Sequence, residues 1–164
     1  MKRLLALGAA LAALGALAVI AVGGGSMSGT GSGGSAYGAA PAPKTATGTV
    51  SVRQTKLGRI LVDTRGITLY DFVADKHGRS SCYGACATYW PPLLTKGKPH
   101  AGTGVRASLL GTTKRKDGKL ELVYNHHPLY YFVGDRKPGQ TTGQGLNQFG
   151  APWWALSPAG REVH

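Results

Sequence analysis

The residues best equipped for chemistry stand in two copies of one pattern, Tyr-x-Phe-x-x-Asp: Tyr70, Phe72 and Asp75, then Tyr130, Phe132 and Asp135. A phenol and a carboxylate form a donor–acceptor pair. If the copies fold as pseudo-symmetric units, the tyrosines and aspartates converge on one site. Asp75 and Asp135 would then be the two carboxylates that glycan hydrolysis requires. The preferred reading is structural. Strand alternation sends Tyr70 and Phe72 to one face and Leu69, Asp71 and Val73 to the other, and Tyr130 and Phe132 repeat the first face. On that reading the rings are core. Asp75 and Asp135, just past their strands, fix turns by accepting N–H bonds two or three residues on, at His77-Gly78 and at Lys137.

Other reactive residues give less. The histidines are His77, His100, His126, His127 and His164. His126 and His127 are adjacent, so on a strand they face opposite sides, and only a turn lets both reach one metal. They are expected to be exposed turn residues and are the weak metal candidates. A blue-copper centre needs Cys, two His and usually an axial Met; the methionines are Met1 and Met27. Haem ligation by Tyr or His is the cofactor alternative, and no cofactor is expected. No G-x-S-x-G elbow occurs. Trp90, Trp153 and Trp154 could form a sugar-stacking platform, but packing within a small β domain is expected. The reading is a non-enzymatic protein.

The cysteines, Cys82 and Cys86, are spaced C-x-x-x-C, which is neither a C-x-x-C redox site nor a C-x-x-C-H haem attachment. Export to an oxidising compartment pairs them. On a helical turn, positions i and i+4 share a face, with a Cα separation in the upper part of the range of about 4.4–6.8 Å. The bridge closes a very short loop and is expected to be a local staple.

Export is read from the N-terminus. Lys2 and Arg3 precede an uncharged run from Leu4 to Val22, the layout of a secretory leader. Ala21 or Gly23 offers a cleavage position, and the same run nears the length of an uncleaved membrane anchor. Membrane contact is expected only through this segment, if it is retained. Residues 23–48 are rich in Gly, Ser, Ala, Thr and Pro and read as a flexible linker. Residues 49–164 form the folded domain. Net charge is +12, or +10 without Lys2 and Arg3. Such a chain is drawn to anionic surfaces. The expected partner is an anionic cell-wall polymer or an envelope protein, with no specific role on nucleic acid.

The domain has short apolar runs broken by turn residues, which reads as strands. Ile60–Val62 and Ile67–Val73 flank Asp63-Thr64-Arg65-Gly66. Thr112–Lys116 and Lys119–Tyr124 flank Asp117-Gly118, which suits a tight two-residue turn. Tyr124 and Leu129–Val133 flank Asn125-His126-His127-Pro128. Ser81–Tyr89 is the one helical candidate, ended by Pro91-Pro92, and Trp153–Leu156 a closing strand. The fold class is all-β: a small antiparallel sheet, sandwich or barrel with one short helix near the cysteines.

The duplication extends beyond the motif. Leu69–Asp75 aligns with Leu129–Asp135, and Gly78-Arg79-Ser80-Ser81 with Gly139-Gln140-Thr141-Thr142 after one inserted residue. Trp90 and Trp153 follow each copy. The simplest account is two duplicated hairpin units. These features, with Cys82-Tyr83-Gly84-Ala85-Cys86, Trp90-Pro91-Pro92, Tyr124-Asn125 and Gly143-Gln144-Gly145-Leu146-Asn147, resemble the bacterial secreted repeat, or predicted lipoprotein, family with a Y-x-(F/W/Y)-x-x-D motif. The resemblance covers residues 57–161. It implies an extracytoplasmic location with no established activity, and company with electron-transfer or copper-binding modules in some relatives. A haem- or copper-holding redox accessory is therefore the alternative function. The chain departs from the family in lacking a lipidation cysteine and in carrying His126 where Gly is common after the turn Asn.

Overall fold

A computed structural model describes residues Gly48–His164. The leader and, apart from Gly48, the linker lie outside the described residues. No helix among the described residues is long and apolar enough to cross a membrane.

The first repeat opens with strands β1 (Thr49–Thr55) and β2 (Gly58–Asp63), an antiparallel hairpin in register from Val50 opposite Asp63 to Thr55 opposite Gly58. Gly58 takes φ +87° at the corner, a left-handed conformation that glycine adopts without cost. The next turn is organised by Asp63, whose Oδ1 accepts the Arg65 and Ile67 N–H groups. Beyond it the expected partner strand shortens. Thr68 bridges Val62, Leu69 donates to Leu61, and β3 (Tyr70–Phe72) then leaves β2 for another partner.

Helix α1 spans Ala85–Tyr89, not Ser81–Tyr89. Gly84, at φ +56°, breaks helical geometry on its N-terminal side, and Pro91 follows its end. Strands β4 (Leu94–Thr95) and β5 (His100–Ala101) and a 3₁₀ turn (Ala107–Leu109) lead to the second repeat. There β6 (Leu110–Lys114) and β7 (Leu120–Tyr124) form the second hairpin. Its loop has three residues rather than two. The Arg115 N–H bonds the Lys119 carbonyl, and Gly118 sits at φ +81°, the residue that ends such a loop in the left-handed region. Asn125 and His126, at φ +48° and +67°, make the tight turn to β8 (His127–Pro128), so this corner keeps its shape without glycine. Strands β9 (Asn147–Gln148) and β10 (Ala151–Ala155) complete the chain, β10 being the expected closing strand.

Three small sheets result, ordered β2-β1-β5, β3-β10-β9 and β4-β7-β6, with β8 on β7. Among the described residues every strand pair is antiparallel except β1 with β5.

The two repeats exchange their C-terminal segments. From the first repeat, Leu94 and Thr95 pair with Glu121 and Leu120 of the second. From the second, Trp153–Ala155 pairs with Phe72–Tyr70 of the first. The backbone bonds match: Leu61 donates to Leu156 at 2.8 Å and Leu122 to Leu93 at 2.9 Å. Neither repeat completes its sheet alone, so the pair is one cooperative unit. The described residues bury two apolar clusters. One gathers Tyr70, Phe72, Trp90, Tyr130, Trp153 and the cysteines; the other holds Leu61, Leu69, Leu93, Leu122, Leu129 and Leu156. Leu69 and Tyr70 enter different clusters, as strand alternation requires.

Candidate functional site

The motif residues meet at the contact between repeats. Tyr70 and Tyr130 exchange backbone hydrogen bonds, each N–H reaching the other's carbonyl at 2.9 Å. This antiparallel bridge relates the two motifs by an approximate two-fold. Each side chain then crosses to the opposite copy. The Tyr70 hydroxyl donates to Asp135 Oδ2 at 2.6 Å, and the Tyr130 hydroxyl to Asp75 Oδ2 at 2.6 Å.

The second oxygen of each aspartate fixes its own loop, farther along than the sequence suggested. Asp75 Oδ1 accepts the Ser81 N–H and hydroxyl at 2.7 and 2.6 Å. Asp135 Oδ1 accepts the Thr142 N–H and hydroxyl at 2.8 and 2.6 Å. Nearer N–H groups are engaged elsewhere. Gln140 Oε1 takes those of Arg136 and Lys137, and Arg79 bonds the Lys76 carbonyl to close a local turn. The loop must double back before it meets the carboxylate.

The rings form one column under this exchange. Phe72 stacks on Trp153 at 4.1 Å between centroids and Trp153 on Trp90 at 4.0 Å, while Phe132 packs against Trp90 at 4.5 Å with its ring tilted by 32°. Tyr70 meets Trp90 edge-on at 5.4 Å and Tyr130 meets Trp153 edge-on at 5.2 Å, the geometry the ring quadrupole favours. Trp90 and Trp153 are fully buried, so they offer no stacking platform. Gln148 accepts both indole N–H groups, through its side chain for Trp90 and its backbone for Trp153.

Burial raises the pKa of both tyrosine hydroxyls well above the ordinary value, with the facing aspartates adding to it. Burial also raises Asp75, despite the stabilising bonds from Ser81 and Tyr130. Each phenol holds its proton, and both oxygens of each aspartate are occupied. The motifs therefore hold two loops together.

Around this shared frame the copies differ. Beside Tyr130, Ser80 lies 2.6 Å from the phenol and accepts from Arg115 Nη1 at 2.6 Å. Arg115 also donates to Glu121 at 2.7 Å and to the Cys82 carbonyl at 2.7 Å. Burial pushes the Glu121 carboxyl upward against the attraction of Arg115. Glu121 occupies the place of Ile60 in the first repeat, since each precedes the leucine that receives the exchanged segment. Cys82 and Cys86 are disulfide-bonded with Cα atoms 5.3 Å apart, mid-range because Cys82 precedes the helix. Beside Tyr70, the Gly143 N–H approaches the phenol at 3.3 Å.

A second polar cluster lies on the other face of β3. His127 Nδ1 is 3.1 Å from Asp71 Oδ2, and Glu162 completes a trio whose ligand atoms lie within 4.8 Å of one another. The Asp71 hydrogen bond raises the His127 pKa above its ordinary value, although burial opposes it. His126, the other weak metal candidate, is exposed, and the turn parts it from its neighbour. Alternation placed Asp71 opposite Tyr70, but nothing in the sequence linked it to His127 or Glu162. An open groove of about 650 Å³ beside Lys98, Leu110, Thr112 and Leu120 includes no motif residue.

Residues 51–94 and 111–157 each match the family model described as a secreted repeat of unknown function. Neither the curated proteins nor the solved structures hold a match to the chain. The matched segments end at the exchanged elements, so the family's repeat is the unit seen in the fold. Matched in both halves and over more than half its length, the chain belongs to this family of secreted repeats of unknown function.

Proposed function

We propose that this protein is an extracytoplasmic, non-enzymatic module that binds an anionic polymer of the cell envelope through its surface. One observation carries the reading. Among the described residues every Lys and Arg except Arg115 is exposed, while of the seven Asp and Glu only Asp117 is exposed. The acids are used inside, in turns, motifs and ion pairs, and the surface field is almost wholly cationic. Such a field attracts polyanions and is screened by salt. The occupied Tyr–Asp motifs support a structural rather than catalytic use of the repeat.

Co-sedimentation with purified cell wall tests it. Binding is expected to weaken strongly between about 0.05 and 0.5 M salt. The variant K114E/K116E/K119E reverses the densest exposed bases, on the β6–β7 hairpin, and is expected to release the protein. Full recovery in the supernatant at low salt would reject the reading.

A further inference from the structure

We propose that Asp71, His127 and Glu162 form a site for a divalent first-row transition cation of the Zn²⁺ class, bound through one imidazole nitrogen and two carboxylate oxygens. This stands independently of polymer binding.

The three residues come from separate segments held by strand pairing. Asp71 lies in β3, opposite Trp154 of β10. His127 lies in β8, opposite Tyr124. Glu162 is bridged to Leu156. Ligand atoms on a tetrahedral ion with bonds of about 2.0–2.1 Å stand about 3.3 Å apart. His127 Nδ1 and Asp71 Oδ2, at 3.1 Å, already meet this spacing. With all three atoms within 4.8 Å, only the half-buried Glu162 side chain has to move inward.

Asp71 supplies a second, independent reason. It is 2% exposed, and its Oδ1 is buried with no hydrogen-bond partner. A buried carboxylate oxygen ordinarily has a donor or a metal. Here the nearby groups are His127 and a second carboxylate, Glu162. Two carboxylates beside one imidazole repel unless a proton or a metal cation lies among them, and a divalent ion engages both acids and the ring nitrogen at once. The repeat does not need an acid here, since the aligned residue in the other copy is Tyr131, which bonds Asp63. His164 Nε2 lies 3.3 Å from Glu162 Oε2 and is the next imidazole within reach. Its ring packs edge-on against Trp154 at 4.4 Å, which places an indole reporter beside the site.

The test titrates ZnCl₂ into chelator-stripped full-length protein, followed by calorimetry, Trp fluorescence and thermal melting. Saturable one-to-one binding with a rise in melting temperature is expected. H127Q and E162Q should each weaken it by about tenfold or more, the scale at which metal sites respond even to outer partners. H126Q, at the exposed turn neighbour, should bind as wild type. Circular dichroism of E162Q, whose side chain lies outside the core, checks that the fold survives. Absence of saturable binding, or binding unchanged in both H127Q and E162Q, would overturn the site. So would loss of binding in H126Q alone.

Discussion

Tyr70 donates its phenolic hydrogen to Asp135 across 65 residues of chain, at 2.6 Å and with both side chains buried. Tyr130 makes the same bond to Asp75, so the tyrosine of each copy serves the aspartate of the other. Removing the hydroxyl leaves a buried acceptor without its donor. Tyr70→Phe and Tyr130→Phe are each expected to cost about 1.5–3 kcal/mol, the range for bonds to charged groups. Urea unfolding measures this; polymer binding should be unchanged in both.

The ring column predicts graded losses. Phe72→Ala removes a buried ring stacked on Trp153 and should cost about 3–5 kcal/mol. Phe132 is only partly buried, and Phe132→Ala should cost less. Gly143→Ala should also destabilise, because its Cβ would stand 2.8 Å from the Trp90 ring and 3.0 Å from Tyr70. Chemical denaturation of the three variants would give the order.

The Arg115–Glu121 pair should behave as a buried ion pair. Glu121→Ala strands a buried guanidinium and should cost about 3–5 kcal/mol. The double variant R115L/E121I restores the isoleucine of the first repeat and should recover most of that loss. A double-mutant cycle showing no coupling would contradict the pairing.

Tyr70, Tyr130 and Tyr131 govern stability in alkali. Burial, first, and then a facing acid raise each above the ordinary value of about 10. The folded state keeps these protons while the unfolded chain releases them. Their contribution is therefore fully present below pH of about 10 and falls as pH rises beyond it, by up to about 4 kcal/mol per unit for three groups. Tyr131→Phe should remove about a third of that slope, as read from unfolding curves and the tyrosinate absorbance.

The disulfide predicts a modest effect. It spans four residue steps, and closing so short a loop restricts the unfolded chain by about 2 kcal/mol. Reduction should lower stability by that amount and leave the Tyr130–Asp75 bond in place, as followed by the alkaline titration of the tyrosines.

The sequence by itself determined the duplication, the strand-rich class, the β6–β7 hairpin, the closing strand at Trp153 and the pairing of Cys82 with Cys86. These rest on spacing within one segment: alternation, turn residues and the identity of matched positions. It also marked Tyr70, Asp75, Tyr130 and Asp135, with core packing expected of the tyrosines and turn-fixing of the aspartates. Only the tertiary structure decided that the aspartates bind Ser81 and Thr142, that each tyrosine reaches the other copy, and that the repeats trade their last segments. It alone brought Glu162 to Asp71 and His127, and turned His126 away. Contacts between residues tens of positions apart leave no period along the chain. They arise when two incomplete sheets bury their open edges against each other.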